Sequence, residues 1–171
     1  MMDHRIVITQ GEHAIESRPD ACITTLLGSC VACCLWDPVA GVGGMNHMLL
    51  AGSAISCGTS SLQGINEMEL LVNGLLKRGA RRSRLLAKAF GGASMVQGLS
   101  DIGAANCLFT LDYLEREKIE CISHSLGGNR ARQLMFWPAT GRVRQKLVDA
   151  ETEPVNSKPV PQRAGNDIEL L

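Results

Sequence analysis

Short β-like runs that follow one another with no helix between them constrain the fold of this chain most strongly. Two stretches instead show helical periodicity, 64–78 and 100–118. The β-like runs cover 5–9, 22–27, 30–36, 45–51, 84–90, 120–126, 132–137 and 142–147. Strands that are adjacent in sequence favour antiparallel or mixed pairing. We therefore predict an α+β fold, a layered sandwich of mixed, largely antiparallel sheets with helices packed on them.

Composition limits the number of domains and the classes of partner. The 171 residues suffice for one domain with a real core, which we place at residues 1–148. From 149 to 171 the chain is rich in proline and loses periodicity, so we predict a flexible tail. Seventeen basic residues balance seventeen acidic ones, which gives no reason to expect binding to nucleic acid. No apolar run is long enough to insert in a membrane, and no signal peptide is evident, so we expect a cytoplasmic protein.

Three of the seven cysteines lie in the stretch TTLLGSCVACCLWD, at 24–37. Cys30 follows the small residues Gly28 and Ser29 at the start of a predicted strand, where a sharp turn can expose a thiol. Backbone N–H groups of such a turn can stabilise an oxyanion. His47 lies one predicted hairpin away and is a candidate base for the thiol. Buried cysteine filler is the alternative, since free cysteines are among the most buried residues.

A metal site is a second alternative, because Cys30 and Cys33 have the spacing of half a zinc site. Residues of a strand alternate between its faces, so these two thiols are expected to point apart. Cys33 and Cys34 are therefore predicted to be core residues, and we expect no metal.

Three glycine pairs occur at predicted strand ends, and Gly91-Gly92 is one of them. Glycine pairs are typical of tight turns, and they also allow a backbone to approach a substrate closely. Arg130 follows the last pair and either belongs to a solvated face or holds an acidic partner surface.

Five segments resemble the CheD family, the chemoreceptor glutamine deamidases of bacterial chemotaxis. In order they are TTLLGSCVACCLWDP, GGMNHMLL, AKAFGGASM, IGAANCLFTLDYLEREKI and LGGNRARQLMFWPATGRV. The resemblance implies a CheD-like cysteine hydrolase fold and a protein-glutamine glutaminase that needs no cofactor. Its nucleophile falls on Cys30, its base on His47 and its third member on Thr24, which lies beside a second threonine.

The resemblance also implies how the remaining residues and partners take part. Gly28 and Ser29 would support the oxyanion, and Asn46, Gly91, Gly92 and Arg130 would contact substrate or partner. Methyl-accepting chemoreceptors would be the substrate, through glutamine side chains and possible methylesters. A CheC-type phosphatase is a further implied partner. The alternative is a non-enzymatic adaptor that binds receptors or such a phosphatase.

Overall fold

The computed structural model describes residues 4–50, 59–95 and 100–149 of the chain. Nine strands and two α-helices follow one another within these residues. The strands are β1 (His4–Val7), β2 (His13–Glu16), β3 (Ala21–Leu27), β4 (Val31–Asp37), β5 (Val42–Asn46), β6 (Leu86–Gly91), β7 (Glu120–Leu126), β8 (Ala131–Trp137) and β9 (Arg142–Val148). The helices are α1 (Thr59–Lys77) and α2 (Ser100–Arg116), and a short 3-10 turn spans Arg82–Arg84.

The strands form two mixed sheets in which antiparallel pairs predominate. The smaller sheet has the order β1-β3-β8-β9 and the larger one β2-β5-β4-β6-β7. Only β1 with β3 and β6 with β7 pair in parallel among the described strands. This confirms the predicted class of layered α+β sandwich.

Two apolar layers hold the architecture together. The first lies between the sheets and contains Ile23 and Phe136 of the smaller sheet with Cys34 and Trp36 of the larger one. The second lies between the larger sheet and the helices, and it joins Leu35 to Leu71 and other residues. Strand β4 contributes to both layers because its side chains alternate between its two faces. The larger sheet is therefore the middle layer.

The structure corrects the predicted strand at 45–51, since β5 is Val42–Asn46 and begins inside the glycine-rich segment. Its glycines are required by close packing rather than by a loop. A Cβ at Gly43 would lie 2.5 Å from the Pro138 carbonyl oxygen, and one at Gly44 would lie 2.8 Å from Leu71 Cδ1. Strand β2 was not predicted, because its four residues are too few to show a period.

The helices differ from their predictions mainly at their ends. Helix α1 begins at Thr59, before the predicted start at Gly64. Helix α2 ends at Arg116, two residues before the predicted end, and Lys118 beyond it has a φ of 56°. A left-handed residue cannot continue an α-helix, so the chain turns there into β7. None of the helices in the described residues has the length and apolar character to cross a membrane.

The buried Asp37 anchors the turn between β4 and β5. Its carboxylate accepts hydrogen bonds from the backbone N–H of Val39, Ala40 and Arg81 at 2.9–3.0 Å. Arg84 forms an ion pair with it at 2.8 Å. Burial alone would raise the pKa of Asp37, but the hydrogen bonds from Arg84 and these backbone groups hold that pKa at about 2. One carboxylate thereby joins the hairpin to the segment that leads into β6.

Candidate active site

Cys30 lies at the turn that links the two sheets. Gly28 and Ser29 leave the end of β3, and Cys30 comes directly before the first residue of β4. Its side chain is 9% exposed and belongs to the apolar layer between the sheets. Cys33 faces the helices instead, and Cys34 shares the layer of Cys30, as strand alternation predicted. Both are fully buried, so the prediction that they are core residues is confirmed.

The register between β4 and β5 brings His47 near Cys30. Cys34 pairs with Met45, and Val31 forms an isolated bridge with Met48 in the same register. When this register is continued between the two pairs, His47 lies opposite Ala32. Cys30 lies two residues before Ala32 on the same face, which makes it a diagonal neighbour of His47. Such neighbours lie about 7–8 Å apart at Cα, within reach of longer side chains.

The orientation of the His47 ring is fixed by Thr25. The Thr25 hydroxyl donates to the Ile8 carbonyl oxygen at 2.8 Å and lies 2.7 Å from His47 Nδ1. A hydroxyl has a single proton, and the carbonyl oxygen can only accept. Both contacts are satisfied when Nδ1–H donates to Thr25 Oγ1. This tautomer leaves the Nε2 lone pair free to accept a proton from a thiol.

The structure corrects the assignment of the third member to Thr24, because the contact with His47 is made by Thr25. The two threonines are consecutive residues of β3, so their side chains leave opposite faces of the strand. Thr25 shares its face with Ile23 and Leu27, which pack in the layer between the sheets. Thr24 shares its face with the half-exposed Leu26. The structure thus gives the contact with His47 to Thr25, and a catalytic role of either threonine stays a prediction.

All three carbonyl groups of the turn at Cys30 are held by hydrogen bonds. The Gly28 oxygen accepts from Ala93 N at 3.0 Å, and the Cys30 oxygen accepts from Gly92 N at 2.8 Å. The Ser29 oxygen accepts from Asn106 Nδ2 at 2.8 Å. The turn is thus fixed before any substrate arrives, which is what a preorganised oxyanion site requires.

Gly91 and Gly92 take part in the site by supporting this turn. A Cβ at Gly91, whose φ is 115°, would lie 2.2 Å from the Cys30 carbonyl oxygen. A Cβ at Gly92 would lie 2.1 Å from Cys107 Sγ. Only glycine allows the end of β6 to lie so close to the turn at Gly91 and so close to α2 at Gly92. Both glycines support the backbone of Cys30, and their predicted contact with substrate or partner stays a prediction.

Electrostatics keep both candidate catalytic groups neutral in the unliganded protein. Burial, and to a smaller extent the negative charge of Glu67 on α1, together raise the pKa of Cys30 to about 11. Burial lowers the pKa of His47, against the opposing effect of Glu12. The resting state near neutral pH is therefore a thiol beside a neutral imidazole. Formation of a thiolate at Cys30 would therefore require transfer of its proton to an acceptor such as His47.

Two further predicted contact residues lie elsewhere. Asn46 is 2% exposed, and its amide is used inside the protein. Its oxygen accepts from Cys33 N at 3.0 Å and its nitrogen donates to Met68 Sδ at 3.3 Å. Asn46 thus faces α1 and is a structural residue, which corrects its prediction as a contact. Arg130 is half-exposed and pairs with Asp149 at 3.2 Å.

Sequence reasoning missed three residues of the site: Thr25, Glu67 and Asn106. Thr25 and Leu27 are two residues apart in a strand and therefore face the same side of it. This alternation could have indicated Thr25 from the sequence. Asn106 and Glu67 lie on helices far from Cys30 in sequence, and no local pattern connects them to it. Their proximity depends on how the helices pack over the larger sheet.

Comparisons with known proteins identify the family of this chain. Residues 59–147 match the family model for CheD, described as CheD chemotactic sensory transduction. A protein of Agrobacterium fabrum named probable chemoreceptor glutamine deamidase CheD is 49% identical, over 98% of this chain and 96% of its own. A protein of the same name from Caulobacter vibrioides is 47% identical, over 98% and 93%. One from Rhizobium leguminosarum is 52% identical, over 87% and 83%.

Solved structures resemble the chain more distantly. A Neisseria meningitidis protein of known crystal structure has a TM-score of 0.44 and 9% identity, over 74% of this chain and 64% of its own. The identity to the curated relatives extends over nearly the whole chain, and the family model matches more than half of it. This chain therefore belongs to the CheD family.

Proposed function

We propose that this protein is a chemoreceptor glutamine deamidase, a protein-glutamine glutaminase of bacterial chemotaxis. Relatives that share about half of its residues carry that name. The observation that supports it best is the hydrogen bond of 2.7 Å between Thr25 and His47, beside the turn that holds Cys30. An oriented imidazole next to a thiol on a fixed turn is the arrangement of a cysteine hydrolase.

In the proposed mechanism, Cys30 is the nucleophile and His47 the general base. His47 Nε2 takes the proton of the thiol while sulfur attacks the side-chain amide carbon of a glutamine. The oxyanion that forms is stabilised by backbone N–H groups of the turn at Ser29 and Cys30. The imidazolium then protonates the leaving nitrogen, and ammonia departs to leave a thioester.

Hydrolysis of the thioester completes the cycle. His47 accepts a proton from water as the water oxygen attacks the thioester carbon, and the imidazolium returns that proton to the departing sulfur. The products are glutamate and the free thiol, so the reaction consumes no cofactor. A methylester presents the same electrophilic carbon and would lose methanol in place of ammonia. Ester hydrolysis at receptor methylation sites is therefore a second reaction that we propose for this site.

Burial of Cys30 is consistent with a thiol that loses its proton only when a substrate is bound. The thiolate is disfavoured in the unliganded protein, since the pKa of Cys30 is about 11. A nucleophile that ionises only when a carbonyl carbon is in place avoids alkylation and oxidation between turnovers. We expect the protein to act in the cytoplasm, on the cytoplasmic region of the receptors.

The direct test is conversion of glutamine to glutamate in receptor cytoplasmic fragments, followed by mass spectrometry. Wild type should convert specific glutamines, and Cys30→Ala and His47→Ala should convert none. Cys121→Ser is the matched control, because Cys121 is a partly exposed cysteine whose thiol bonds to the Ser123 carbonyl oxygen. Conversion by Cys30→Ala would show that the nucleophile is another group.

A non-enzymatic adaptor is the rival function, and the same experiment separates the two. An adaptor would bind the receptor fragment and leave every glutamine intact. Binding of a CheC-type phosphatase remains a prediction from the resemblance, and co-elution of the two purified proteins tests it. Such binding is compatible with either function.

A further inference from the structure

Asn106 on α2 connects the two halves of the candidate active site. It is 1% exposed, and both ends of its amide are engaged. Nδ2 donates to the Ser29 carbonyl oxygen at 2.8 Å, and Oδ1 accepts from Leu50 N at 3.1 Å. Ser29 precedes the nucleophile, and Leu50 lies shortly after His47. A single buried side chain therefore bonds to both backbone segments.

The bond to Ser29 determines where the next N–H group points. In a trans peptide the C=O and N–H groups lie in one plane and point in opposite directions. The Ser29 carbonyl and the Cys30 N–H belong to the same peptide bond, and the structure has no cis peptide bonds among the described residues. When Asn106 holds the carbonyl on the α2 side, the N–H of Cys30 points away from α2.

The surroundings of Cys30 agree with this orientation. The backbone N–H of Cys30 lowers the pKa of its own thiol, against the larger effect of burial. Ala93 and Gly92 bind the carbonyls of the two neighbouring peptides, so the orientation of the peptide between Ser29 and Cys30 depends on the bond from Asn106. Removal of the Asn106 donor would leave the part-buried Ser29 oxygen without this partner, and the peptide would then gain free energy by rotating toward another donor.

We propose that Asn106 is a positioning residue that aims the Cys30 N–H at the oxyanion of the tetrahedral intermediate. Its second bond, to Leu50, sets the distance between this peptide and the segment that holds His47. Asn106 thus acts on carbonyl attack through the backbone and touches no substrate itself. The proposal rests on the proposed function only in that Cys30 attacks a carbonyl carbon.

Two reactions of Cys30 separate this role from a general structural one. Acylation by p-nitrophenyl acetate passes through an oxyanion: sulfur bonds to the carbonyl carbon and p-nitrophenolate leaves. Alkylation by iodoacetamide displaces iodide at a saturated carbon and forms no oxyanion. Both require the same thiol and the same proton acceptor. The ratio of the two rates therefore reports on oxyanion stabilisation alone.

The test compares N106D and N106A with wild type. The rate that Cys30→Ala shows with each reagent is subtracted as background, so that only the reaction of Cys30 is compared. In N106D one carboxylate oxygen can still accept the hydrogen bond from Leu50 N. The other carboxylate oxygen faces the Ser29 carbonyl oxygen and has no proton to donate to it. We expect the acylation rate to fall about 10- to 100-fold relative to the alkylation rate, because one oxyanion donor is worth about 10²–10³ in rate. An unchanged ratio in both variants would overturn the proposal.

Thr110→Val is the matched control, since Thr110 is equally buried on α2 and its hydroxyl donates to the Asn106 backbone oxygen at 2.8 Å. It should lower the melting temperature and leave the ratio unchanged. An equal fall of the ratio in this control would mean that α2 packing, not the Asn106 amide, is responsible.

A measurement on wild type serves if the Asn106 variants do not fold. A small aliphatic aldehyde forms a hemithioacetal with Cys30, and its oxygen mimics the oxyanion. The amide proton of Cys30 should then move downfield in the ¹⁵N-correlated spectrum. No shift at Cys30 would refute the proposal. These assays use no receptor. If the protein did not deamidate receptors, the proposed function would be wrong, but that result would not decide the role of Asn106.

Discussion

At the scale of single residues, the site depends on which face of β3 each threonine occupies. Thr25 points between the sheets and meets His47, whereas Thr24 lies on the other face. The hydroxyl of Thr25 donates to Ile8, so it can only accept from the imidazole. This small network decides the tautomer of His47 and with it the availability of a base for Cys30.

Thr25→Val should reduce kcat for glutamine deamidation by about 10- to 100-fold. Losses of this size are typical when a hydrogen bond that orients a functional histidine is removed. The ring of His47 would keep its place but lose the bond that selects its tautomer. Thr24→Val is the matched control and should stay within about threefold of wild type. The reverse ranking of the two variants would restore Thr24 as the third member. Mass spectrometry of the receptor fragment measures both.

Glu67→Gln should increase the rate of Cys30 alkylation at pH 8, because it removes a negative charge that disfavours the thiolate. The pKa of Cys30 should fall below its wild-type value of about 11, so the rise of the alkylation rate with pH should occur earlier. Glu69→Gln removes the same charge from the same helix, where Glu69 bonds to Tyr113 and Arg82. It should leave the alkylation profile unchanged. Equal profiles for wild type and Glu67→Gln would contradict the proposed charge effect.

At the scale of elements, the turn before β4 is braced by β6 and α2. Gly91 and Gly92 let the end of β6 lie against Cys30, and Asn106 reaches the same turn from the helix. Asp37 fixes the other end of β4 in a comparable way, through three backbone groups and Arg84. Strand β4 is thus anchored at both ends, which keeps Cys30, the proposed nucleophile, in a fixed position.

Gly91→Ala should destabilise the fold and reduce deamidation together. Its Cβ would meet the Cys30 carbonyl oxygen at 2.2 Å, so the turn must shift, at about 1–3 kcal/mol beyond the strain of the positive φ. Gly79→Ala is the control, because Gly79 also has a positive φ and a Cβ there meets nothing within 4 Å. It should lose stability but keep full activity. Denaturant unfolding and the deamidation assay measure the two effects, and full activity in Gly91→Ala would argue against a braced turn.

Asp37→Asn should cost about 2–3 kcal/mol in the free energy of unfolding, because it removes the buried carboxylate whose pKa the ion pair with Arg84 and the backbone hydrogen bonds hold at about 2. The folded pKa of Asp37 is about 2, below its ordinary value of 3.8, so its contribution is fully present above pH 4. That contribution is lost as the pH falls from about 4 toward 2. The difference in stability between wild type and variant should narrow over this window. A constant difference across it would show that Asp37 is not the titrating group.

At the scale of the whole molecule, one sheet serves two layers. The larger sheet packs its β4 side chains both against the smaller sheet and against the helices. The candidate site lies where the layers meet: Thr25 belongs to the smaller sheet, Cys30 to the turn between the sheets, and Asn106 to a helix. The site therefore exists only when all three layers are assembled.

Truncation of the chain after Asp149 should leave both folding and deamidation intact. The sequence predicts a folded unit at 1–148, and the prediction of a flexible tail at 149–171 falls, apart from Asp149, outside the described residues. The truncated protein should melt within about 4 °C of the full chain, which corresponds to less than about 1 kcal/mol. A larger loss would mean that the tail docks on the domain. Asp149 is retained because it pairs with Arg130.

The sequence alone predicted the fold class, the strand that carries Cys33 and Cys34 directly after Cys30, and the hairpin that brings His47 near Cys30. These features follow from hydrophobic periodicity and from short connections, which act between residues close in the chain. The tertiary structure alone decided that Thr25 meets His47, that Asn106 holds Ser29, and that Glu67 acts on Cys30. Such contacts join residues far apart in sequence. Strand alternation alone places Thr25 on the face of Leu27, but its contact with His47 depends on strand register, and the positions of Asn106 and Glu67 depend on how the helices pack.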